Sequence, residues 1–422
     1  MSDSSTSIGQ QSRTALSQGS PAISSKKTRI AMTGATSLLG RNLLFEIFKE
    51  NIHDLDRLEL ILLGRAKESQ ALRDRVREMV CEMSEMVSPD ELSHILDYCA
   101  HRVIYVDSEL TEPYTKIDSH SLHQLQRAPI DFFFHLAAIS NFRDTPAVRE
   151  LLHRTNIEGT LNTLELIREL KVGEYCYTGS AYVCGTTTGK IYPDYINLDQ
   201  PFHNPYELSK LKAEILVREF GTATGVRCRI FRTSTICGRL IEPPLGGVSK
   251  YDVFYGWAAF WLRMKASVLG GWSDIYTRPC ALDARICYRA AGGFNTVPVD
   301  FAAKAMYQVC LQNDPGQSYH LVNDQETPHA MHIPAMLNTV NVEGTSQCET
   351  IPVDLNETEA AYYRVLGKTF TPYMTSAPMD FDTDSIRSVL NKSRLRCPPV
   401  DAANFQVLME FAKQHDFGVE HN

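Results

Sequence analysis

The chain has 422 residues, 43% of them hydrophobic and 22% charged, with a formal net charge of −8. This is a soluble, globular composition with room for one large or two ordinary domains, and its acidic balance argues against a general attraction to nucleic acid or anionic membrane. Eleven cysteines, an odd number with no C-x-x-C pair, argue against a disulfide framework or a zinc ribbon and for reduced thiols in a cytoplasmic setting.

Residues 1–26 are rich in Ser, Gln and Thr and lack an apolar run. They are expected to form a disordered tail and not a secretory signal. No stretch reaches the roughly 18 apolar residues of a spanning helix. Residues 251–272 come nearest and are interrupted by Arg263 and Lys265.

Residues 28–33 read as a buried strand that runs into Gly34-Ala35-Thr36-Ser37-Leu38-Leu39-Gly40, with an amphipathic helix expected over 41–51. Strand, glycine turn and helix are the context in which a glycine motif points to a dinucleotide. Gly34 permits the tight turn and Gly40 lets the helix pack closely. The helix N-terminus offers N–H groups to a pyrophosphate. Ser37 holds the middle position, where a glycine would normally let the backbone approach the phosphates. An ordinary strand–helix turn has the same outline. A second strand, 58–63, ends at Gly64-Arg65, with Lys67 just beyond. An acidic residue there would hold a ribose 2′-hydroxyl, whereas Arg65 and Lys67 favour a 2′-phosphate, hence NADP over NAD.

Helices are expected over 67–86 and 89–98, and strands over 102–106 and 130–135. The fourth strand leads into Leu136-Ala137-Ala138, small residues that let a cofactor approach the backbone; His135 reads as structural. A long helix over 145–170 carries Asn156. A fifth strand, 174–177, precedes Ser180, and a sixth spans 227–232. Between them, N-P-Y-E-L-S-K-L-K-A-E places Tyr206 and Lys210 four apart on one helical face. A phenol beside an ammonium is a plausible proton donor, with its pKa lowered by the charge. The alternation of strands and helices predicts an α/β, Rossmann-type doubly wound parallel sheet with ligands at the strands' carboxyl ends. Ser180, Tyr206 and Lys210 should converge there.

Residues 241–295 lack the alternation and are rich in aromatics, including Tyr251, Phe254, Tyr255, Trp257, Phe260, Trp261 and Trp272. They could line an apolar acyl pocket or simply pack a small domain; a peripheral membrane contact is a weaker option. A helix over 299–311, a last strand over 319–323 and short helices over 357–366, 382–390 and 402–415 follow. The expected domains are 27–240 plus 296–324 for the cofactor, and 241–295 plus 325–422 as a smaller, mostly helical substrate domain. His329 and His332 lack the acidic partner of a metal-binding helix, and no metal site is expected.

Taken in order, T-G-A-T-S-L-L-G (33–40), H-L-A-A (135–138), N-I-E-G-T (156–160), G-S-A-Y-V-C-G (179–185), Y-E-L-S-K (206–210) and V-P-V-D-F-A-A-K-A-M (297–306) resemble the extended short-chain dehydrogenase/reductases. Within them the sequence looks most like the thioester reductase and fatty acyl-CoA reductase branch, the male-sterility type. The L-G-R-A at the second strand's end, Ala-Tyr-Val after Ser180 and the N-x-Y-x-x-S-K-x-x-A-E helix carry that likeness. Thr233 stands where the family usually has proline near the nicotinamide.

The resemblance implies NADPH-dependent reduction of an acyl thioester, on a carrier protein or coenzyme A, to an aldehyde and conceivably on to the alcohol. Ser180, Tyr206 and Lys210 would be catalytic. Gly34, Thr36, Ser37, Leu38, Leu39, Gly40, Arg65, Lys67, Ala137, Ala138, Asn156, Tyr206, Lys210, Thr233 and Thr235 would hold the cofactor. The alternatives are a reductase or epimerase of a nucleotide sugar, steroid or similar carbonyl compound, and a non-catalytic cofactor-sensing protein.

Overall fold

The computed structural model describes residues 27–67 and 70–420. The expected tail, residues 1–26, lies outside the described residues. Strands β1 (Thr28–Thr33) and β2 (Leu58–Leu63) form as predicted and are buried at nearly every position, the pattern of strands covered on both faces. Helix α1 (Leu38–Glu50) starts three residues earlier than predicted because Ser37 caps it: Ser37 Oγ accepts from the Gly40 N–H at 3.1 Å. Helix α2 (Leu72–Val80) is shorter than the predicted 67–86 and tightens into a 3₁₀ stretch, Cys81–Glu85. Helix α3 (Pro89–His101) opens on a Ser88/Glu91 capping box.

Strand β3 (Ile104–Val106), helix α4 (Ser119–Gln126) and strand β4 (Ile130–His135) follow. The helix predicted over 145–170 is α5 (Pro146–Leu152) and α6 (Gly159–Glu169), joined through a π-helical stretch, His153–Glu158. Strand β5 (Val172–Ser180) is longer than predicted, so Ser180 is its last residue and not the one beyond it. After β6 (Gly189–Ile191), helix α7 (Pro205–Thr224) is capped by Asn204, which accepts from the Glu207 N–H at 3.1 Å. Pro205 holds its first position, where no N–H is missed. Strands β7 (Arg227–Thr233) and β8 (Thr235–Cys237) end this half.

The second half runs α8 (Phe254–Leu269), β9 (Cys280–Cys287), β10 (Gly293–Phe294), β11 (Thr296–Pro298), α9 (Val299–Leu311), β12 (Ser318–Leu321) and β13 (Thr327–Pro328). It closes with α10 (His329–Thr339), β14 (Val342–Cys348), α11 (Glu357–Tyr362), α12 (Lys368–Thr375), β15 (Met379–Phe381), α13 (Asp384–Ser393) and α14 (Ala402–Gln414).

Seven strands form one sheet in the order β12-β7-β5-β4-β1-β2-β3, and every neighbouring pair is parallel. The direction of winding reverses between β1 and β4, which opens a crevice at their carboxyl ends. Apolar side chains of α1, α2, α3, α9 and α13 cover one face, and those of α4, α6 and α7 the other. A separate core joins α8, β9, α10, α11, α12 and α14 beside the crevice.

Two further features depart from expectation. Strands β9 and β14 pair in parallel where helices or irregular chain were predicted. Helix α13 packs on α9 in the sheet's own core, although it lies within 325–422. No helix among the described residues is long and apolar enough to cross a membrane.

Candidate active site

A cavity of about 270 Å³ lies at the crevice. Of the predicted site residues, Ser37, Leu38, Leu39, Ala138, Ser180, Tyr206, Lys210, Thr233 and Thr235 line it. Gly34, Thr36, Gly40, Arg65, Lys67, Ala137 and Asn156 do not line it.

The glycine turn is close-packed. Gly34 has φ +72°, and a Cβ there would come within 2.6 Å of the Ala137 nitrogen. A Cβ on Gly40 would strike the Gly34 carbonyl oxygen at 2.1 Å. Strand, turn and helix therefore close on one another and leave the first turn of α1 at the cavity wall. Ser37, the departure from glycine, serves as the helix cap. Asn156 acts from behind: its side chain accepts from Ile139 N–H at 2.8 Å and donates to the Ile139 carbonyl and to Ser209 Oγ, each at 3.0 Å. It ties the loop after β4 to α7.

Register brings the three catalytic candidates together. Ser180 pairs with Thr233 across β5 and β7. Tyr206 and Lys210 face them from the first turns of α7. Burial, then the Glu207 carboxylate, raises Tyr206 to about 12. The predicted lowering by Lys210 is not what the site shows. Lys210 reaches β5, where Nζ donates to the Thr178 carbonyl at 2.6 Å and sits 4.3 Å from the Tyr177 ring centre. Burial pulls Lys210 down to about 7, against the opposing pull of Glu214. Tyr206 is thus a protonated phenol at neutral pH, which suits an acid. His135 is structural, as expected: its ring bonds Thr33 Oγ1 at 2.8 Å and burial lowers it to about 3.

Several residues were missed. Glu207 is fully buried; it accepts from the His203 backbone N–H at 2.9 Å and from the Tyr373 hydroxyl, which ties α7 to α12. Arg75, on α2, donates to Thr36 Oγ1 at 3.2 Å and to the Arg65 carbonyl. Its Nε is buried without a partner among the described residues. Arg65 itself pairs with Glu109 at 2.9 Å. The spacing of Arg75 from the glycine turn hides this link in the sequence. Phe254, Tyr255, Trp257, Phe260 and Trp261 of the aromatic helix all pack in the second core, and Phe254 and Trp257 also line the cavity. Glu174, Cys176 and Cys310 form the one metal-capable grouping among the described residues, but Arg229 holds the Glu174 carboxylate.

A doubly wound sheet with serine, tyrosine and lysine at its crevice defines an extended short-chain dehydrogenase/reductase fold, and the turn and crevice fit a nicotinamide dinucleotide. The family model described as male sterility protein matches residues 32–306, and the chain belongs to that family. Fatty acyl-CoA reductase 1 of Xenopus laevis is 24% identical over 258 residues, covering 54% of this chain and 45% of that protein. Carboxylic acid reductase of Mycobacterium marinum is 23% identical over 313 residues, 72% of this chain and 25% of that one. The chain thus spans less than half the length of these curated relatives.

Among solved structures, the terminal R domain of the myxalamid PKS-NRPS pathway superposes with TM-score 0.67 at 21% identity, covering 96% of this chain and 95% of that one. The R domain of a Mycobacterium tuberculosis non-ribosomal peptide synthetase gives 0.64 at 19%, covering 94% of each. UDP-glucuronic acid 4-epimerase of Bacillus cereus, in complex with NAD, gives 0.57 at 14%, covering 92% of this chain and 97% of that one.

Proposed function

We propose that this protein is an NADPH-dependent reductase of acyl thioesters, with the acyl group carried on coenzyme A or on a carrier protein's phosphopantetheine arm. The observation that carries the reading is the placement of Ser180, Tyr206 and Lys210 on one cavity with Phe142, Phe254, Trp257, Phe294 and Phe370. A polar set for a carbonyl oxygen adjoins an aromatic lining for an acyl chain.

Ser37, Leu38 and Leu39 would hold NADPH, with Arg75 and Arg65 on the side of its 2′-phosphate, and the bound cofactor would supply a hydride to the thioester carbonyl. Tyr206 donates its O–H to the thioester oxygen as charge develops there, and Ser180 is the second donor. Lys210, one turn on along α7, would hold the nicotinamide ribose. Collapse of the hemithioacetal then releases the thiol. Residues 27–240 with 296–324, and α13 with them, form the cofactor-binding unit in this reading.

The test is NADPH oxidation against acyl-CoA and acyl-carrier thioesters, with ketones and nucleotide sugars in parallel and free thiol measured throughout. Thiol should appear in step with NADPH consumption. Turnover of ketones or nucleotide sugars with every thioester inert would overturn the proposal.

A further inference from the structure

The cavity wall contributed by the second core holds a buried histidine pair with no part in the chemistry above. His329 begins α10 and lines the cavity. Its Nδ1 lies 2.9 Å from Nε2 of His332, one turn on. Their exposures are 1% and 0%. Ring contacts lead to the pair from the catalytic tyrosine: Tyr206 to Phe142 at 5.2 Å, Phe142 to Phe370 at 6.2 Å, Phe370 to Trp257 at 5.4 Å and Trp257 to His332 at 6.0 Å. Phe142, Phe370 and Trp257 line the same cavity as His329, so an acyl chain lying along these rings comes beside the histidine pair.

The tautomers decide what that group offers. His332 Nδ1 is buried without a partner among the described residues, and so is the indole N–H of neighbouring Trp257. A buried orphan N–H is rarer and costlier than an orphan lone pair. With a donor-only ring beside it, His332 Nδ1 is assigned the lone pair and Nε2 the proton. His332 Nε2–H then donates to His329 Nδ1, which leaves the His329 proton on Nε2. Burial holds His329 near 4 and His332 well below its ordinary value, so the pair is neutral. The wall presents an N–H donor, not a cation.

We propose that His329 Nε2–H binds a neutral oxygen acceptor (hydroxyl, carbonyl or ether) on the acyl chain, remote from the thioester, and so selects oxygenated acyl thioesters over plain hydrocarbon chains. The proposal rests on the thioester reading. A plain chain packed against the wall would leave the N–H unpaired, and a site built around such a bond discriminates by about tenfold or more.

The experiment compares kcat/KM for matched acyl-CoA thioesters of equal length, with and without one oxygen, moved outward from the third carbon. Wild type should favour one oxygenated isomer by about tenfold or more. The ratio should fall to near one in His329→Phe and in His332→Phe, which removes the tautomer lock, and be partly retained in His329→Gln, whose amide still donates. Loss of folded protein scales both rates together and leaves the ratio untouched. Turnover without discrimination at any position, or a ratio that survives in His329→Phe, overturns the subsite alone. Absence of thiol release from every thioester overturns the reduction reading and the subsite with it.

Discussion

Lys210 shows how the site holds a charge under tension. Burial lowers it from 10.5 to about 7. Between those values the unfolded chain holds one more proton than the folded one, so stability rises with pH across that window; below it both states are charged and the burial cost is complete. Lys210→Met removes the buried charge. Its thermal midpoint without cofactor should exceed that of wild type near about pH 6, with the gap closing as pH climbs from about 7 toward 10. A gap independent of pH would contradict this assignment.

Arg75 carries the second residue-scale prediction. A guanidinium lost from a phosphate removes a charge-assisted bond worth about 1.5–3 kcal/mol, or roughly 10–150-fold in affinity. Arg75→Ala should weaken NADPH binding by that order and leave NADH binding nearly unchanged, as read by cofactor fluorescence titration. Equal losses for both cofactors would move Arg75 away from the 2′-phosphate. Tyr206 and Lys210 were legible because helical spacing alone sets them on one face. Arg75 was not, because its link to Thr36 depends on where α2 lies against the glycine turn.

Among elements, α7 is held by its cap and by a buried ion pair besides the ties already described. Its Asn204 cap satisfies an otherwise unpaired N–H, and Asn204→Ala should cost about 1 kcal/mol in chemical denaturation. Farther along, Glu214 and Arg232 are both fully buried. Glu214 accepts from Arg232 Nε at 3.0 Å and from its terminal nitrogen at 2.8 Å, which pins α7 to β7 one residue before Thr233. Glu214→Ala would leave the buried Arg232 charge without its carboxylate, facing only the Tyr192 and Tyr195 carbonyls, and a loss of about 3–5 kcal/mol is expected in urea denaturation. A loss below about 1 kcal/mol would mean that water reaches Arg232. The glutamate of the sequence motif is therefore a structural anchor for the helix that carries the tyrosine.

Other elements show why some pattern was readable and some was not. The parallel strands of the main sheet are buried on both faces and stand out as short apolar runs. Strand β14 is mostly polar and largely exposed, so nothing in V-E-G-T-S-Q-C announced a strand; only its pairing with β9 makes it one. In α8, Lys265 looked like an interruption of an apolar helix. It is buried and donates to the Val340 and Asn341 carbonyls, each at 2.9 Å, at the end of α10.

At the scale of the molecule, two cores meet across one cavity, and Asp300 helps hold them in place. Its carboxylate accepts the N–H groups of Leu240, Ile241 and Glu242, at 3.3, 2.7 and 2.9 Å, where the chain leaves the sheet for the second core. The Rossmann half was legible because its strands, turns and helices obey local rules. Which aromatic residues of the second core also line the cavity was not, because it depends on how α8 is rotated against α10, α12 and α14.

The central claim is that Tyr206 protonates a thioester oxygen within this cavity. Single-turnover reaction of the NADPH-bound enzyme with an acyl-CoA, following thiol release and NADPH oxidation together, tests it most directly. Wild type should release thiol as NADPH is consumed, and Tyr206→Phe should slow both by about 10²–10⁴-fold while binding NADPH as before. Equal rates in Tyr206→Phe and wild type, or NADPH oxidation without thiol, would contradict it.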